Sequence, residues 1–232
     1  MTDTKLDVRV YPIDEPKGNT QAFASIAVDD LIAIRGIRVI EGEKGLFVSM
    51  PQSLNPKTNE FNDIAFPLTK ELREQIIKAV IDEYEITANL DPAHRGYDNP
   101  DKTANIDITG IKLDVRVFPL DEPKGNTKAF ASISVEDKIA IRGIRVVEDE
   151  FSTFVVMPQS KDGNNKHRDV AFPINGDLRK EINKAILAEH KAAEKSADKS
   201  LANGLKRGAE KATENAAKPR DAAAKKAPGI GE

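Results

Sequence analysis

Few side chains in this sequence are arranged for chemistry. Its three histidines, His94, His167 and His190, stand far apart. Zinc is held by three or four converging ligands, so no metal site is predicted. The phosphate-cradling and nucleophile-bearing patterns G-x-x-x-x-G-K-[ST], G-x-G-x-x-G and G-x-S-x-G do not occur. One carboxylate pair, Asp29-Asp30, has the composition for acid and base work. It falls in an apparent tight turn, and Glu136-Asp137 takes its place further along. The expectation is a non-enzyme without cofactor or small-molecule substrate. What remains is cationic. Arg35 and Arg38, with Arg142 and Arg145, read either as a stripe on an exposed sheet face or as partners in cross-strand ion pairs.

These residues recur because the chain repeats itself. "IAIRGIRV" occurs at 32–39 and again at 139–146. Aligned at that offset, residues 6–53 and 113–160 are identical at 36 of 48 positions. The match resumes, one residue shorter, at "DIAFPL" and "DVAFPI" and runs into "LREQIIKAVIDEY" and "LRKEINKAILAEH". Two units follow, 5–86 and 112–190, with a linker at 87–111 and a tail at 191–232. Units this small bury a smaller fraction of their surface than large domains do, so a partner surface is expected.

Within each unit the alternating "LDVRV" predicts a half-buried strand. "DEPKGNT" carries turn chemistry, and "QAFASIAV" is a second strand. The third strand is out of phase with itself: strict alternation places Ile32 and Ile34 on one face and Ile37 and Val39 on the other. A bulge at Gly36 restores the phase, so that all four face the core while Arg35 and Arg38 point outward. The same holds around Gly143. "GLFVSM" is a short fourth strand, and "MPQS" opens a polar loop ending near Asp63 or Asp169. Apolar positions from Leu72 to Tyr84 recur at helical spacing behind Thr69, a predicted N-cap. Phe47, Phe61, Phe66, Phe154 and Phe172 are expected in the core rather than stacked on bases.

Composition narrows the setting. Cysteine is absent, which fits a reducing, cytoplasmic environment. No apolar run is long enough to span a membrane, and the N-terminus lacks a signal pattern. The net charge of −3 conceals an asymmetry: −5 over 1–86, −1 over 113–190 and +4 from 191 onward. Neither unit is basic as a whole. The linker reads as irregular connector. The tail, rich in alanine and lysine, predicts a fraying helix over 191–202 followed by disorder. Its lysines add weak phosphate contacts or merely solubilise the chain.

The stretch "IRVIEGEKGLFVSMP", the polar loop, "EFNDIAFPL" and the closing "LREQIIKAVIDEY" resemble the stage V sporulation protein G family (SpoVG), also called septation regulators. The resemblance covers nearly all of both units and neither linker nor tail. It implies an α+β fold: an antiparallel sheet of four to five strands with a C-terminal helix, forming dimers. Two copies in one chain then replace two chains, pairing as a pseudo-dimer within the chain or between chains. It further implies a bacterial regulator of septation and sporulation that binds DNA or RNA.

Family members resembling this chain carry a lysine-arginine pair after methionine-proline-serine and an arginine before the aspartate. The first unit lacks the pair, keeping Lys57 nearby, and has Asn62 at the arginine position. The second keeps Lys161, with Lys166, His167 and Arg168 before Asp169. The resemblance thus assigns phosphate contacts chiefly to the second unit. A solvated loop is the alternative, and a protein-interaction scaffold centred on the acidic first unit is the rival function.

Overall fold

The computed structural model describes residues 4–16, 18–55, 58–90, 107–161 and 164–216, without the side chains of Lys124 and of 197–216. The first repeat runs β1 (Leu6–Pro12), β2 (Thr20–Val28), β3 (Ile32–Gly42), β4 (Gly45–Ser49), β5 (Gln52–Asn55), β6 (Glu60–Asp63), β7 (Ala65–Pro67) and α1 (Lys70–Ala88). The second runs β8 (Leu113–Lys124), β9 (Thr127–Val135), β10 (Ile139–Glu148), β11 (Thr153–Val156), β12 (Gln159–Lys161), β13 (His167–Asp169), β14 (Ala171–Pro173) and α2 (Gly176–Ala216). All pairing between strands is antiparallel. The α+β reading of two sheet-rich repeats, each followed by a helix, holds.

The glycine bulge predicted in β3 is present. Ser25 pairs with Arg35 while the preceding Ala24 pairs with Ile37, which leaves Gly36 as the extra residue. Gly36 and Gly143 both sit at φ +75, a conformation that costs an L side chain roughly 1–2 kcal/mol. Ile32, Ile34, Ile37 and Val39 are buried, as are Ile139, Ile141, Ile144 and Val146. Each such side chain contributes about 1.5–3 kcal/mol relative to exposure.

The bulge also marks a change of partner. Beyond it, β3 pairs with β4 of its own repeat; before it, Ile32–Ile34 pair with β14 of the other repeat. Reciprocally, Ile139–Ile141 of β10 pair with β7. Four backbone bonds extend the exchange in two matched pairs. Arg35 N–H donates to Val170 C=O and Arg142 N–H to Ile64 C=O, both at 2.7 Å. Ile174 N–H donates to Leu31 C=O at 2.9 Å and Leu68 N–H to Lys138 C=O at 2.8 Å. The contact is isologous: each repeat gives what it receives. One apolar core consequently contains residues of both repeats, within a compact body spanning Met1–Lys191. The pseudo-dimer is built within one chain.

Helix α1 begins where its cap predicts, with Thr69 Oγ1 accepting from Leu72 N–H at 3.2 Å. Asn175 does the same for α2 through Oδ1, accepting from Asp177 and Leu178. Leu72, Ile76 and Val80 are the buried face of α1, and Leu178, Ile182 and Ile186 that of α2. His190 is the next position in that four-residue series and is buried. α2 continues to Ala216, well past the expected end near 202, because alanine, lysine and glutamate are strong helix formers that outweigh two glycines. His94, the middle of the linker and the last sixteen residues lie outside the described residues.

Two further expectations are corrected. The polar loop after "MPQS" is a β-hairpin in both repeats, β5 with β6 and β12 with β13, each clasped by a glutamine-aspartate bond of 2.9 Å, Gln52 to Asp63 and Gln159 to Asp169. Of the five phenylalanines assigned to the core, Phe172 alone is buried; Phe66 is half-buried, and Phe47, Phe61 and Phe154 are exposed.

Candidate functional site

The turn carboxylates are structural. Asp29 and Asp30 have φ of 52 and 55, and Glu136 and Asp137 of 54 and 50, the paired positive values of a type I′ hairpin turn. Asp29 accepts from the Lys5 backbone N–H at 2.9 Å and from Lys138 Nζ of the other repeat at 2.6 Å. Lys5 and Lys112 hold Asp30 and Asp137, and these hydrogen-bonded carboxylates raise both ammonium pKa values. Among the described residues no group of three histidine, aspartate or glutamate side chains is placed to hold a metal. Nor is any helix there long and apolar enough to cross a membrane.

The exchanged strands bring the cations together. The Arg35 guanidinium lies over the Phe172 ring, 4.7 Å from its centroid, and Arg142 lies over Phe66 at 4.6 Å. Each arginine therefore stacks on a ring supplied by the other repeat, at a distance where cation–π attraction is favourable. Arg179, at the start of α2, approaches the Phe172 ring at 6.0 Å and Asp169 at 3.5 Å. Around Phe172 a groove of about 450 Å³ is lined by Arg35, His167, Arg168 and Arg179, with Asp169 the single carboxylate. A second groove, of about 410 Å³, joins Arg142, Arg145 and Phe130 to His167 of one hairpin and to Asn62 and Asp63 of the other. His167 lines both.

The sequence-predicted residues divide accordingly. Arg35, His167 and Arg168 meet in the first groove; Arg142, Arg145 and His167 meet in the second. Lys161 and His167 are cross-strand neighbours on the second hairpin, and Lys166 is exposed beside them. Arg38 lies on β3 opposite Phe23 and Ser49. Lys57 lies outside the described residues.

The two hairpins differ where they match in position. Lys161 and His167 of the second correspond to Leu54 and Phe61 of the first, which also pair across strands and are 48% and 66% exposed. One hairpin presents a lysine beside a histidine, the other an apolar pair. Sequence reasoning missed Arg179, Phe23 and Phe130. The two phenylalanines were legible from parity: each sits between alanines that are buried, Ala22 and Ala24 or Ala129 and Ala131, so each must face away from the core.

This architecture is a small antiparallel sheet backed by a C-terminal helix, written twice in one chain and joined through exchanged strands. The SpoVG family profile matches residues 4–86 and again 111–192, and the chain belongs to that family. Among curated relatives, a Clostridium perfringens protein named "Putative septation protein SpoVG" is 45% identical over 85 residues, 37% of this chain and 92% of that protein. A Clostridium novyi protein of the same name is 43% identical over 83 residues, 36% of this chain and 81% of its own length. One from Archaeoglobus fulgidus is 39% identical over 79 residues, 34% and 91% respectively.

Proposed function

We propose that this protein is a non-catalytic, cytoplasmic regulator acting in septation, and that it binds DNA or RNA mainly through the second repeat. The observation carrying the proposal is the groove around Phe172, where four basic side chains from both repeats meet one carboxylate. A polyanion gains from such a cluster chiefly by releasing condensed counterions. The second hairpin, with Lys161, Lys166, His167 and Arg168, borders it, while the role in septation follows the names borne by the relatives. Replacing Lys161, Lys166 and Arg168 together by alanine tests the assignment in a gel-shift series. Affinity should fall, and the slope of log affinity against log salt should flatten by roughly 2 for three lost contacts to a single strand. Unchanged affinity and slope refute it.

A second reading rests on the first hairpin. Its exposed Leu54 and Phe61, in a repeat of charge −5, suit docking on a protein. Pull-down with nuclease present separates the readings: one dominant protein retained by wild type and lost on L54S/F61S supports docking.

A further inference from the structure

The sheet face opposite the helices is not merely a backing. Strand register places Tyr11, Phe23 and Arg38 in one outward row of the first repeat and Arg9, Ser25 and Arg35 in the next. The second repeat repeats the pattern with Phe118, Phe130 and Arg145, then Arg116, Ser132 and the Arg142 bulge. Neighbours within a row stand about 4.8 Å apart. Phe23 and Phe130, on interior strands, are 47% and 41% exposed, unusual for rings at the centre of a sheet, and Phe118 on the edge strand β8 is 55% exposed. Phe47 and Phe154 continue the aromatic surface opposite Ile40 and Val147.

The charge on this face differs from that of the repeat bearing it. The first repeat is acidic overall, yet these paired positions hold Arg9, Arg35 and Arg38 against one carboxylate, Asp7, which Arg9 approaches at 3.5 Å. The second holds Arg116, Arg142 and Arg145 against Asp114, at 3.3 Å from Arg116. Between them Ser25, on the row flanked by Arg9 and Arg35, is buried with a hydroxyl that has no protein hydrogen-bond partner. Its counterpart Ser132 lines a groove of about 290 Å³ with Arg116, Arg142 and Phe66, where the carboxylates are Asp114 and Asp137, the latter held by Lys112. Flat rings beside guanidinium groups match a strand whose bases are unpaired. The rings take base faces and the cations take phosphates. A duplex, with its bases stacked on one another, cannot offer those faces.

We infer that this outward sheet face is a platform for single-stranded nucleic acid, with bases stacked on Phe23 and Phe130 and phosphates held by the arginine rows. The inference rests on the nucleic-acid reading above and specifies its ligand. Because the sequence has no tryptophan, Phe23→Trp and Phe130→Trp each create a lone reporter at the proposed stacking point. Their fluorescence should be quenched by a random-sequence single-stranded 20-mer along the same curve as the anisotropy of that labelled strand, and not by its duplex. F23L/F130L, which keeps apolar bulk but not the ring, should lower single-strand affinity roughly fivefold or more for each stack lost. Its duplex affinity should not change. If the chain binds nucleic acid but the tryptophans are unquenched and F23L/F130L binds as wild type, the platform is wrong and the broader reading survives. If it binds neither strand nor duplex at low salt, both fail.

Discussion

Phe172→Ala tests whether the two repeats are one folding body. The ring lies in β14 of the second repeat but packs on β3 of the first, 8% exposed and beneath Arg35. Truncating a buried phenylalanine costs about 3–5 kcal/mol, and settling of Arg35 and Arg179 over the gap places this case near 3 kcal/mol. With a denaturant dependence near 3 kcal/mol per molar urea for a body of this size, the midpoint should fall by about 1 M. The assay exploits the distribution of tyrosines: Tyr11 and Tyr84 lie in the first repeat, Tyr97 in the linker and none in the second. Tyrosine fluorescence thus reports the first repeat while the substitution lies in the second, and circular dichroism reports both helices. The two signals should move together to the lower midpoint. Tyrosine unfolding at the wild-type midpoint, with part of the helical signal lost earlier, would refute a shared core.

Gly36→Ala should cost about 1–2 kcal/mol from its positive φ, since an added Cβ would meet only Pro51 Cβ at an ordinary 3.9 Å; an unchanged denaturation midpoint would contradict this. Thr69→Ala removes the α1 cap and should cost about 1 kcal/mol by the same assay. L54K/F61H gives the first hairpin the lysine and histidine of the second; nucleic-acid affinity should rise with a steeper salt slope from the added lysine, and no gain would argue against the hairpins as phosphate contacts. Asp149 accepts backbone hydrogen bonds from Phe151 and Ser152 at 2.9 and 2.8 Å, which lower its pKa. The stabilisation is complete above the ordinary carboxylate range and is lost as pH falls through the lowered value. Carboxyl NMR should therefore show Asp149 titrating below an exposed aspartate, and a midpoint at or above one would overturn the assignment.

Much of the fold was legible because it is written in local periodicity. The re-phased strand follows from Ile32, Ile34, Ile37 and Val39 around one glycine, and the helix start follows from Thr69. The exchange of β7 and β14 was not legible. Three residues are too few to show a period, and their partner strand lies in the other repeat. The hairpins read as loops because ladders of only three or four residues flank Asn59 and Asn165, whose φ of 56 and 61 is turn chemistry. Phe47, Phe61 and Phe154 were misplaced by treating aromatic character as burial, and Phe23 and Phe130 were passed over although parity against Ala22, Ala24, Ala129 and Ala131 puts them outside. The cations at 161–168 were visible in sequence, but their meeting with Arg35 and Arg179 depends on the exchanged strand. A one-chain alternation pattern carries no trace of that meeting.

The most direct test of the account is the anisotropy of a labelled single-stranded oligonucleotide titrated with the full chain at two salt concentrations. Saturable binding that weakens steeply as salt rises is the result predicted for a cationic surface assembled by both repeats. Absence of binding at low salt, or binding indifferent to salt, would contradict it.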